Sequence, residues 1–298
     1  MPVYRIHHVT TYRHGVPANA AWQSVRLRPR DEDSQSCLEF DLDILPRPTD
    51  LTQRTDYHGN HLHVFTVRTA HQEFTVNAHS LVNRTEPLLP MPALTPPVAE
   101  VSDLSDEAVL SGEFLLEQFR HPSAAIPRVE AAADLAADLD STAPVLTWMQ
   151  SLGELFARDF RFDPAATDIS TPLAEVLRLR RGVCQDFAHL YIACARSLGL
   201  PAAYVSGYLL TQPPPGQPRF IGADAMHAWV SIHIPGTGWV DYDPTNHCFA
   251  GAGHIVVARG RDYADVSPVR GVFNGGGQHT LSLGVTVEPA EDPATPSQ

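Results

Sequence analysis

The hydrophobic period of this chain changes at a proline-rich stretch, and the change limits the architectures open to it. Upstream, apolar side chains recur every second residue, most plainly in "CLEFDLDIL", where Leu38, Phe40, Leu42 and Ile44 alternate with Glu39, Asp41 and Asp43. A period of two belongs to a strand with one buried face. "HLHVFTVR" and "EFTVNAHSLV" continue it, the latter with Phe74, Val76 and Ala78 on one side, and "DYHGNH" supplies a turn between strands. The stretch "EPLLPMPALTPPVAE", residues 86–100, then carries five prolines, which helix interiors and central strands exclude. Beyond it, "LSDEAVLSGEFLLEQF" and "APVLTWMQSLGELFARDF" show helical spacing, the first opened by Ser105 with Asp106 and Glu107 in its first turn.

A shorter helix is expected at "TPLAEVLRLR", with Thr171 as cap and Pro172 at the first helical position. In the next segment Phe187, Leu190, Tyr191, Cys194 and Leu198 recur at three and four, with Gly199 and Pro201 as stop signals, so its helix begins at or near Cys184. Strand patterns return in "AAYVSGYLL", "MHAWVSIHI", "WVDYDP", "HIVVARG" and "HTLSLGVTVEP". The order predicts an α+β protein: an N-terminal antiparallel β domain (1–88), a proline-rich linker (89–103), a core of helices packed on an antiparallel sheet (104–290), and a flexible tail (291–298). The length of 298 residues suits two domains.

With 34 acidic against 21 basic side chains, the formal charge of −13 gives no reason to approach nucleic acid or anionic lipid. No run nears the roughly 18 apolar residues that a membrane span needs, and "MPVYRIHHVTTYRHG" lacks a signal peptide's apolar core. A cytoplasmic protein without membrane or nucleic-acid partners is expected. Four cysteines, Cys37, Cys184, Cys194 and Cys248, are too few and scattered for a disulfide framework, and none forms a CxxC pair.

Cys184 stands apart because a helix start presents unpaired N–H groups and the positive end of the macrodipole, which favour a thiolate. Such a cysteine is a nucleophile where a base is in reach. In "DAMHAWVSIHIPGTGWVDYDPT", His227 lies near the start of one strand and Asp243 at the end of the next, across a hairpin. If the residue opposite Asp243 is 225, 227 or 229, carboxylate and imidazole share a face. Asp241 shares that face too and is the second choice. Cys194 lies on the apolar stripe and reads as core, as do Cys37 and Cys248.

"GVCQDFA", "HAW" and "WVDYDPTN" together, in this order, resemble the Cys, His and Asp motifs of the transglutaminase-like superfamily, whose fold is that of papain-like cysteine proteases. "YRIHHVTTYRHGVPANAAWQSVRLRPR" and "GRDYADVSPVRGVF" are similar to the bacterial branch with its own N-terminal β domain. The resemblance implies Cys184 as nucleophile, His227 as base and Asp243 as orienting acid, and it implies acyl transfer without a cofactor. The substrate would be a peptide or protein amide, with water as acceptor in a protease or amidase and an amine in a crosslinking transglutaminase. The backbone N–H of Cys184 is the natural first oxyanion donor.

Two readings of other classes stand beside this one. A non-catalytic peptide-binding module would use the same cleft, and the histidines His58, His61 and His63 would suit zinc, although no cysteine or carboxylate completes that set. The absence of a DxDxDG loop removes calcium of the EF-hand kind. Arg178, Arg180 and Arg181 read as a solvated helix end, whereas Arg261, Asp262 and Tyr263 either line the cleft or pin the closing strands. Oligomeric state and the β domain's role are not encoded in any local pattern.

Overall fold

A computed structural model of the protein describes residues 2–103, 114–211 and 226–290. Chain order begins with β1 (Val3–Val25), β2 (Gln35–Leu45), β3 (Asp50–Thr55), β4 (His61–Val67) and β5 (His71–Arg84). Helices α1 (Val98–Asp103), α2 (Phe114–Glu117), α3 (Glu130–Ala137) and α4 (Val145–Asp159) follow. Next come β6 (Arg161–Phe162), α5 (Leu173–Leu179), β7 (Arg181–Gly182) and α6 (Cys184–Ser197). The second sheet is built from β8 (Ala202–Leu209), β9 (Met226–Ile234), β10 (Gly238–Asp243), β11 (Cys248–Phe249) and β12 (His254–Gly260). The chain closes with α7 (Tyr263–Val266), β13 (Val269–Gly275) and β14 (His279–Ala290).

The first sheet orders its strands β2-β5-β1-β4-β3, and β13 and β14 also pair with β1. One strand serves so many neighbours because β1 changes partners halfway. Its first half lies between β5 and β14, its second between β4 and β13, with a register shift between Arg13 and Ala18. Gly15 and Pro17 occupy that break, where a proline without an N–H does least harm to the ladder. The sheet therefore curls around a small core that includes Val25, Leu27, Phe65, Phe74 and Val76.

Three expectations need correction. Residues 269–290, assigned from sequence to the second domain, complete the first sheet, because pairing between distant strands leaves no trace in a local period. Leu38 points outward, since a bulge between Cys37 and Glu39 breaks the alternation of β2, while Ile44 is buried. Helix α5 is capped by neither Thr171 nor any other side chain: Pro172 holds the N-cap position, and the Thr171 hydroxyl accepts the Asp168 N–H at 2.9 Å. The helix start expected at Ser105, Asp106 and Glu107, and the tail 291–298, lie outside the described residues. Among the described residues no helix is long and apolar enough to cross a membrane.

The second sheet has the order β11-β10-β9-β8-β12 and packs α6 against β8 and β9. Helix α6 is buried from Asp186 to Arg196, with α4 contributing Trp148, Met149, Leu152 and Phe156 to the same core. Tyr4, Ile6, Val82, Val285 and Val287 of the first sheet join that core, so the two layers share one apolar interior. This is an α+β architecture, with an N-terminal β domain set against a papain-like core.

Strand β12 lies at the sheet edge, and two amide side chains of the first domain cover its free backbone. Gln35 accepts the Val256 N–H at 2.8 Å and donates to the Val256 carbonyl at 2.8 Å. Asn60 does the same for Arg259, at 2.8 Å each way. An edge satisfied by side chains cannot recruit a foreign strand. The Arg259 guanidinium adds a fork to Glu32 on one side and Asp241 on the other, with contacts of 2.8 to 3.0 Å.

Candidate active site

Cys184 is the first residue of α6, as the spacing predicts, and its surroundings explain the "GVCQD" sequence. Asp186 reaches back so that its Oδ2 accepts the Val183 N–H at 2.8 Å and the Thr167 hydroxyl at 2.6 Å. Gly182 makes room for it, because a Cβ there would stand 2.6 Å from that oxygen. The thiol is half-buried beside the apolar core.

The hairpin register places the other two residues. Trp239 pairs with His233 and Tyr242 with Val230, which sets Asp243 opposite Trp229 and diagonal to His227. His227 Nε2 donates to Asp243 Oδ2 at 2.7 Å, which leaves Nδ1 for the Cys184 thiol, a group near enough to act on the imidazole's titration. Burial alone would disfavour the imidazolium. The bond to Asp243 and the negative charge of Asp243 and Cys184 outweigh burial and push His227 up to about 10.

The carboxylate of Asp243 is fully buried and fully engaged. Its Oδ1 accepts the backbone N–H groups of Thr245 and Asn246 at 2.9 and 3.1 Å, and Oδ2 accepts Asn246 Nδ2 at 2.7 Å. His254 adds a further donor: its Nδ1 accepts the Gly251 N–H at 3.2 Å, so the proton sits on Nε2, which donates to Asp243 Oδ2 at 3.1 Å. Burial opposes ionisation here, but the bonds from His227 and His254 hold the carboxyl far below its ordinary range. Sequence reasoning missed His254 and Asn246. Asn246 stands in "DPTN" within the recognised motif, whereas His254 arrives from a separate strand with no local signal.

Asp241 is not the partner of His227. Its carboxylate is held by the Arg259 fork and accepts the Trp229 indole N–H at 2.9 Å. The Trp229 ring lies over Gly207, the residue paired with His227, where a Cβ would stand 2.3 Å from the indole, and it meets His254 edge-on at 5.3 Å. Asp241 thus steadies a ring that packs behind the site.

The other cysteines differ from Cys184 in their environment. Burial pushes Cys194 up to about 12 and Cys37 up to about 11, whereas Cys248, expected in the core, is exposed. The histidines of the weaker zinc reading are parcelled out: His58 pairs with Asp265 at 3.1 Å, and His63 packs on Phe40. Among the described residues no group of three or more His, Cys, Asp or Glu side chains is placed to hold a metal.

The arginine run ends α5 as expected of a surface segment. Arg178 pairs with Glu175, Arg181 with Asp163, and Arg180 lies over the Phe160 ring. Asp262 caps α7 through the Ala264 N–H and also accepts the Ala125 N–H. Arg261 binds Asp265, and His189 Nε2 accepts the Tyr263 N–H. These contacts make "RDYADVSP" a pin between the closing strands and α6.

Two family models match this chain: the bacterial transglutaminase-like N-terminal region over residues 4–83, and the transglutaminase-like superfamily over residues 134–244. An uncharacterized protein of Mycobacterium tuberculosis is 37% identical over 98% of this chain and 94% of its own length. The chain belongs to the transglutaminase-like superfamily. An uncharacterized protein of Mycobacterium leprae is 31% identical, covering 95% of this chain and 97% of its own. Among solved structures, a Cytophaga hutchinsonii protein called a "putative cysteine protease" superposes with a TM-score of 0.76 at 19% identity, over 99% of this chain and 93% of that one. That likeness extends the shared fold through both layers. Cys184, His227 and Asp243 all fall within the span matched by the superfamily model.

Proposed function

We propose that this protein is a cysteine-dependent acyl-transfer enzyme that hydrolyses peptide or isopeptide amide bonds. The observation that carries the reading is the 2.7 Å bond from His227 Nε2 to the buried Asp243, on a histidine whose titration the Cys184 thiol raises, with that thiol at the first residue of α6. The thiol proton passes to His227 Nδ1 and the sulfur attacks the amide carbonyl, giving a tetrahedral oxyanion. The Cys184 backbone N–H, at the start of α6, would donate to that oxygen. On collapse, the imidazolium returns its proton to the leaving amine, and the C–N bond breaks as the thioester forms. Water, deprotonated by His227, then attacks the thioester and releases the carboxylate, restoring the thiol. Asp243 keeps the proton on Nε2 throughout, so that Nδ1 faces the reaction.

The test is labelling by a chloroacetamide probe at neutral pH, followed by peptide mapping. Modification should concentrate on Cys184 and vanish in Cys184→Ala, together with turnover of a peptide-amide library. Labelling that persists elsewhere, or turnover that survives the substitution, would overturn the assignment. Adding a primary amine distinguishes the acceptors: stable amine incorporation into a glutamine-containing protein would replace hydrolysis by crosslinking.

A further inference from the structure

A cavity of about 680 Å³ lies between the β domain and the papain-like core, and none of Cys184, His227 or Asp243 lines it. Its volume falls in the range of small-molecule sites. Its wall carries three arginines, Arg30, Arg84 and Arg259, and aromatic surface from Phe119, Trp239 and Tyr57.

Arg84 is the unusual member. It is 2% exposed, yet among the described residues it has no carboxylate within ion-pair distance. Its one side-chain bond runs from an Nη to the Ser34 hydroxyl at 2.7 Å, while its Nε is shielded from solvent and has no acceptor. Glu32, Asp33 and Asp241 line the same cavity, but Glu32 and Asp241 are held by the fork of Arg259, the exposed Asp33 makes no ion pair with Arg84, and Arg30 is turned to Glu32 and Asn60. A buried guanidinium left without a carboxylate in this way is costly, and a carboxylate entering from the cavity would give its Nη groups a charged acceptor.

We propose that this cavity is a binding site for an organic monoanion: a carboxylate pairing with Arg84, carried on an aromatic or other planar body that packs against Trp239 and Phe119. Those two rings already meet edge-on at 5.2 Å, which leaves the half-buried indole as a platform. A single negative charge suits the site. Three carboxylates, Glu32, Asp33 and Asp241, balance the three arginines of the wall, so one added negative charge is the most that Arg84 can accept there and a dianion would face net repulsion. The site is independent of the acyl-transfer chemistry and stands or falls without it.

Isothermal titration calorimetry on the full chain tests this, using N-acetyl-L-phenylalanine, its neutral carboxamide and inorganic phosphate. The carboxylate should bind at least about tenfold more tightly than the carboxamide, the cost of leaving a buried charged donor unpaired, and phosphate should bind more weakly than the carboxylate. Arg84→Gln and Trp239→Ala should each lower affinity by about tenfold or more, and Cys184→Ala should leave it unchanged. Because Arg84 is buried, circular dichroism must show a folded Arg84→Gln protein. Should it unfold, the half-exposed Trp239 variant and the carboxamide comparison decide. Equal binding of acid and amide, no heat with the acid, tighter phosphate binding, or loss of binding in Cys184→Ala would each overturn the proposal. The last would place the ligand at the thiol instead.

Discussion

Replacing Asp243 by Asn keeps the shape of the side chain and removes its charge. The backbone amides of Thr245 and Asn246 would hold the carbonyl oxygen, turning the new NH2 toward His227 Nε2 and His254 Nε2. His227 would then accept at Nε2 and carry its proton on Nδ1, where it cannot take one from the thiol. The imidazolium would also lose a charge-assisted bond of about 1.5–3 kcal/mol. At 1.36 kcal/mol per pKa unit, its titration midpoint should fall by roughly 1 to 2 units from about 10. Proton and carbon NMR of the ring, assigned with a His227→Gln variant, would follow it. Turnover should drop by about 10²–10⁴-fold, the scale of a lost general base. A midpoint that moves by only a few tenths would refute the claim that Asp243 holds the charge on His227.

Two other perturbations probe the same architecture. Gly207→Ala would drive a Cβ to 2.2 Å from the Ile255 carbonyl and 2.3 Å from the Trp229 ring, so denaturant unfolding should show a loss of about 2–4 kcal/mol. A change under half a kcal/mol would mean that Trp229 is free to move. The raised midpoint of His227 also sets a pH dependence: its stabilising contribution is complete below the unfolded value near 6.5 and is lost as pH rises to about 10. Urea midpoints should therefore decline across that window in the wild type and stay flatter in His227→Gln; parallel curves would contradict it.

What the sequence made legible divides along physical lines. Cys184, His227 and Asp243 could be singled out because each sits at an element boundary that local chemistry marks, a glycine-led helix start, a strand start and a strand end before proline, and because the family resemblance names their motifs. The hairpin register was open to three values, and the pairing of Trp239 with His233 selects the one that sets Asp243 diagonal to His227. His254 was out of reach, because it comes to the carboxylate on an edge strand whose neighbour is chosen by the whole fold. The same holds for β13 and β14, whose apolar alternation is that of any strand and names no partner. Leu38 was misread for a different reason: a single bulge reverses an alternation that the residue types alone continue. The cavity behind Arg84 had no signal at all, since its wall is gathered from segments more than two hundred residues apart.

The return of β14 to β1 sets Val3 beside Ala290, so the papain-like core is an insertion within a β host whose two ends meet. Deleting the first hundred residues would not liberate a self-sufficient core; it would strand two orphan strands with bare ladders. Joining Val3 to Ala290 by a short linker and opening the chain elsewhere should instead leave the sheet intact. Pulled at Val3 and Ala290, the molecule would part like a zip from that outermost pair inward, opening the host before the core feels any load.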